Sequence, residues 1–128
     1  MQVKIDTKEK FHVITFKDPM LAANMTAEMD NCLLPFLQEE VKNIVLNLEN
    51  VKHIDDSAAE WLARIQQSFY EQNASFVVCC LQPVVEDLLD QKELLEVMNV
   101  TPTESEAWDI VQMEEIEREF LDGAGEEN

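Results

Sequence analysis

Two periods of hydrophobic spacing run along this chain, one of two residues and one near 3.6, and they divide it into strands and helices. Val3-Lys4-Ile5 alternates and Phe11-His12-Val13-Ile14-Thr15-Phe16 is mostly apolar, with polar Thr7-Lys8-Glu9-Lys10 between them, which predicts a β-hairpin. Beyond Asp18-Pro19, apolar Met25, Met29, Cys32, Leu33 and Phe36 keep helical spacing from a start near Asn24 or Thr26, and Pro35 is expected to end or kink that helix. Asn43-Ile44-Val45-Leu46-Asn47-Leu48 reads as a buried strand, as does Phe76 through Leu81. Between them a helix carries Ala58, Trp61, Leu62, Ile65, Phe69 and Tyr70 on one face, and Ser57-Ala58-Ala59-Glu60 has the form of a capping box at its start. Pro83 suits the first turn of a helix with Val84, Val85, Leu88 and Leu89. Val97–Val100 predicts a short strand, and Thr103-Glu104-Ser105-Glu106 caps a last helix through Trp108, Val111 and Ile116 towards Leu121. The order β-β-α-β-α-β-α-β-α predicts an α/β fold. It is a mixed, mostly parallel sheet with an N-terminal β-hairpin and interleaved helices, in a single domain over 1–122. Residues 123–128 are expected to form an acidic, disordered tail.

Charge narrows the partners. The 128 residues hold 27 acids against 9 bases, a net charge of −18, and a field of that sign repels phosphate backbones and anionic lipid headgroups. Neither nucleic-acid binding nor membrane insertion is expected, and no apolar run has the length of a membrane span or a signal peptide. Half of the excess lies in residues 104–128, where ten acids meet one base, Arg118, for −9. Such a stretch is either a solvated helix face or an arm for a basic partner.

Glycine narrows the chemistry. Gly123 and Gly125 are the only two, so no P-loop and no dinucleotide-binding fingerprint can be written over the folded part of the chain. Cys32, Cys79 and Cys80 have no metal-ligand spacing and read as reduced packing residues of a cytoplasmic protein, with Cys79 and Cys80 on opposite faces of one strand. His12 and His53 lack partners at ligand spacing and read as structural. Asp55-Asp56 follows a strand-turn at a helix N-terminus, where free N–H groups and the helix dipole favour negative charge, so capping alone explains the pair. Two carboxylates could also hold Mg²⁺ or act as acid and base, but no third ligand, base or phosphate loop accompanies them. No metal and no cofactor is expected, and the chain does not read as an enzyme.

Ile44-Val45-Leu46-Asn47-Leu48-Glu49, then five residues, then Asp55-Asp56-Ser57, resembles the core motif of the STAS domain, the anti-sigma-factor antagonist family. Asn24-Met25-Thr26-Ala27-Glu28 resembles the family's first helix opening. Val77-Val78-Cys79 through Pro83-Val84-Val85 resembles its next strand and helix, and Thr103 through Trp108 its last helix start. The resemblance covers residues 3 to about 112 and implies a STAS-like fold. It also implies a regulatory domain that binds a protein, such as an anti-sigma factor with a kinase-like ATPase fold, through the Asp55–Ser57 loop and the helix after it, with Glu60 and Arg64 tuning the contact by charge. In the family a phosphorylated serine follows the motif aspartate. Alignment from Asn47 puts Asp56 at that phosphoacceptor position, Asp55 at the aspartate, Ser57 at the second hydroxyl residue and Ala58 at a glycine. An aspartate accepts no phosphate from a serine kinase and carries one fixed charge where phosphoserine carries nearly two. The resemblance therefore implies binding that is not switched by serine phosphorylation at the usual site. Its alternative implication is a constitutive STAS subunit of a larger assembly, a transporter or a stress-signalling complex.

Overall fold

The computed structural model describes the backbone of residues 1–126 and the side chains of residues 1–121. The expected hairpin is present: β1 (Val3–Thr7) pairs antiparallel with β2 (His12–Phe16), in register Ile5 with Ile14. Three further strands, β4 (Ile44–Asn47), β6 (Phe76–Cys79) and β7 (Val100–Thr101), add in parallel, giving the order β1-β2-β4-β6-β7. Residue alternation sorts the two faces of this sheet. Ile14, Phe16, Ile44, Leu46, Phe76 and Val78 join the larger core beneath α1 (Thr26–Leu33), α2 (Asp56–Glu71) and α3 (Pro83–Gln91). Val13, Val45, Val77 and Cys79 face the other way and are covered by Ala107 and Val111 of α4 (Glu104–Glu126). Strands β4 and β6 are buried at every position, which is why they read as continuous apolar runs rather than as alternation.

Pro35 acts as expected. It supplies no N–H, so α1 closes at Leu33 and the chain tightens into a 3-10 turn over Leu34–Gln38. The indole Nε1 of Trp61, the largest fully buried side chain, donates to Asp30 Oδ1 at 2.6 Å and joins α2 to α1. Thr103 Oγ1 accepts from Glu106 N at 3.2 Å, so α4 starts where its capping residues predict.

Other expectations need correction. The strand read over Phe76–Leu81 stops at Cys79. Cys80 has φ 62°, so the two cysteines do not alternate across one strand, although Cys79 is buried. Residues Leu95–Val97 form a 3-10 turn and the last strand begins only at Val100, because two ladder residues suffice for an edge. Tyr70, placed with Trp61 and Phe69 on one face of its helix, is exposed, as are Val84, Ile116 and Leu121. A second, two-stranded parallel sheet, β3 (Met20–Leu21) with β5 (His53–Ile54), has no counterpart in the hydrophobic pattern, since two residues cannot display a period.

Among the described residues three other than glycine take left-handed backbone: Asn73, Cys80 and Glu93, with φ near 60°. Asn73 and Glu93 close α2 and α3 in the same way. Ala74 N donates to Phe69 O at 2.9 Å and Asn73 N to Tyr70 O at 3.0 Å; Leu94 N donates to Leu89 O at 2.9 Å and Glu93 N to Asp90 O at 3.0 Å. Both are Schellman turns, built without the usual glycine in a chain that has none before residue 123. The acidic tail expected at 123–128 lies outside the residues whose side chains are described.

Candidate functional site

The loop joining β5 to α2 is held from two sides. Lys52 N and His53 N donate to Pro19 O at 2.8 and 3.2 Å, and Asp55 N donates to Leu21 O at 3.1 Å, so the small sheet carries the chain directly into the helix. Asp55 is extended (φ −90°, ψ 176°) and is the N-cap of α2: its Oδ1 accepts from Ala58 N at 2.8 Å and its Oδ2 from Ala23 N at 2.8 Å. One carboxylate thereby fastens the start of α2 to the segment entering α1. The Ala58 amide, followed by that of Ala23, holds the Asp55 carboxyl below its ordinary value against partial desolvation.

This corrects the capping-box reading. Ser57 is the second helical residue rather than the cap, and its place as cap is taken by Asp55, whose side chain reaches the third amide of the helix. Of the five residues read as the partner-binding loop and helix, Asp55 is half-buried and both its oxygens are occupied. Asp56, Ser57, Glu60 and Arg64 are exposed, and Asp56, Glu60 and Arg64 follow one another at four-residue intervals along one face of α2. Asp56 occupies the first helical position, where the dipole favours its charge.

One participant was not read from the sequence. Lys92, the C-cap of α3, places Nζ 3.7 Å from Asp56 Oδ1 and 3.6 Å from Glu60 Oε1. Lys92 still bonds back into α3 through its own N–H, so the end of that helix carries it, and no local pattern links a lysine there to an aspartate on another helix. Beside it Ile54, Val84, Asp87, Leu88 and Gln91 line a shallow depression of about 400 Å³. The face therefore combines two carboxylates, two cations and a small apolar area around exposed Val84. Among the described residues no group of three or more His, Cys, Asp or Glu is placed to hold a metal ion. His12 is committed elsewhere: its ring packs 4.4 Å from Phe36, its Nε2 donates to Val41 O at 2.9 Å, and Nδ1 lies 2.9 Å from the Thr7 hydroxyl.

The sequence profile of the STAS domain matches residues 2–107. The chain belongs to the STAS domain family. Solved structures agree with the fold of this STAS domain. An anti-sigma-factor antagonist (STAS) domain protein from Planctomyces limnophilus, 21% identical, superposes with a TM-score of 0.74 over 86% of this chain and 97% of its own. The Bacillus cell fate determinant SpoIIAA in its phosphorylated form is 17% identical, with a TM-score of 0.63 over 86% of this chain and 99% of its own. The murine anion transporter Slc26a9 is 12% identical, with a TM-score of 0.69 over 81% of this STAS domain but only 18% of the transporter. At such identities the likeness is one of fold. Among the described residues no helix is long and apolar enough to cross a membrane.

Proposed function

We propose that this STAS domain is a non-enzymatic, cytoplasmic regulatory module of the anti-sigma-factor-antagonist kind, which binds a protein partner through the face formed by Asp56, Ser57, Glu60 and Arg64. The partner is an anti-sigma factor with a kinase-like ATPase fold. The observation that carries this reading is the exposed, charged row at the start of α2, presented by a loop whose own carboxylate, Asp55, is fully used in holding it. Such a surface suits recognition by charge and shape. At the phosphoacceptor position Asp56 carries a permanent charge, partly balanced by Lys92, so binding there is not gated by a serine kinase.

The test pairs wild type with Asp56→Ser against candidate kinase-like anti-sigma factors and ATP, followed by mapping of modified residues by mass spectrometry and measurement of affinity. Wild type should take no phosphate at residues 56 and 57, whereas the introduced serine should become an acceptor and its affinity should change. Stoichiometric phosphate on Ser57 of the wild type, with a change in affinity, would overturn the unswitched reading. A second reading is a constitutive subunit of a larger assembly, since the same fold occurs as a segment of the anion transporter. It predicts a partner that binds wild type and Asp56→Ser equally.

A further inference from the structure

Helix α4 continues to Glu126, well past residue 107 where the family match ends. Its first turns bury Ala107 and Val111 against the sheet. Past them the apolar residues change sides. Met113, Ile116 and Phe120 are 59%, 65% and 74% exposed, and at 100° per residue they fall within one narrow stripe on the side of the helix opposite Val111. With Asp109 they keep the four-three-four spacing of a coiled-coil seam, which places Glu117 and Glu119 at the positions that flank a partner helix.

We propose that this outer face of α4 is a second protein-docking surface, and that its occupant is a basic amphipathic helix of another protein, with apolar residues on one seam and Lys or Arg beside it. Charge decides the occupant. A second copy of this chain would bring Glu117 and Glu119 against the same acids in a segment of net −9, and like charges at flanking positions oppose pairing. A cationic flank turns the same geometry into attraction, and the seam supplies apolar area that water now covers. The surface is separate from the α2 face and does not depend on what binds there.

The test uses a synthetic helical peptide of about three heptads with Leu along the seam and Lys at the flanks, a twin with Glu at the flanks, and a scrambled Lys peptide of the same composition. Titrated against the full chain, the Lys peptide should bind and the twin and the scramble should not, and added salt should weaken binding. The uncharged double substitution Ile116→Ser/Phe120→Ser should lower affinity about tenfold or more. Its melting temperature should match wild type, because neither side chain is buried. Three results would overturn the proposal: no binding of the Lys peptide, equal binding of the scramble, or affinity unchanged by the double substitution. A concentration-dependent dimer of the wild type, abolished by that substitution, would also overturn it, since the occupant would then be a second copy.

Discussion

Glu93 holds a left-handed backbone, φ 59°, at the turn that ends α3, directly after Lys92, the partner of Asp56 and Glu60. For a residue with a Cβ this conformation costs about 1–2 kcal/mol through the clash with the following carbonyl oxygen. Glycine escapes that clash but has more freedom to lose on folding, which returns about 0.4–1 kcal/mol. The Schellman bonds from Leu94 N and Glu93 N are backbone bonds and survive the change. Glu93→Gly should therefore stabilise the domain by about 0.5–1 kcal/mol, raising the melting temperature by roughly 2–5 °C and moving the urea midpoint up with its slope unchanged. Loss of one negative charge from a chain of −18 could mimic this, so Glu93→Ala, which loses the charge and keeps the Cβ, is the control and should stay within about 0.5 kcal/mol of wild type. Asn73→Gly should gain less, because asparagine tolerates the left-handed region better. Equal gains from Glu93→Ala and Glu93→Gly would assign the effect to charge, and no gain from glycine would mean that the turn stores no strain.

The remaining predictions concern capping, the polar network and the C-terminal segment. Ser57→Ala should change stability by less than about 0.5 kcal/mol, whereas Asp55→Ala, which frees the amides of Ala58 and Ala23 together, should lower the melting temperature clearly; the reverse ranking would restore Ser57 as the cap. Asn43 is buried and accepts from Ser75 N at 2.7 Å while donating to Lys10 O and Glu115 Oε1. Asn43→Ala strands the buried Ser75 amide and should cost about 1–3 kcal/mol in a denaturant titration. Burial raises the Glu115 carboxyl, but the Asn43 amide and the Arg118 guanidinium outweigh it and hold the group below its ordinary value of 4.5. Its contribution is thus present above that value and lost as the pH falls through the depressed one, so the stability gap between wild type and Glu115→Gln should be full at neutral pH and close in acid. Truncation after Asp122 should leave stability within about 0.5 kcal/mol, as melting of the shortened chain would report.

Local chemistry determined much of this protein. The hairpin, the two buried strands, the alternation of strands with helices and the effect of Pro35 are each written within a few residues, because backbone sterics and the two side-chain periods act over that range. The glycine-poor composition likewise excluded the phosphate-cradling loops. Contacts between distant residues were decided only by the tertiary structure. Ser57 and Asp55 both satisfy the composition of a cap, and the choice between them rests on Ala23, whose amide comes from another segment and engages the second oxygen of Asp55. Lys92 enters the candidate site because the fold brings the end of α3 within ion-pair reach of the start of α2. Ile116 belongs to the same helical run as Val111, but five residues put it on the far side of α4: the inner side still reaches the sheet's end through Arg118, which donates to Asn43 and Ser75, while Ile116 is left to water. A period states that a face exists; what lies against that face is a property of the packed molecule.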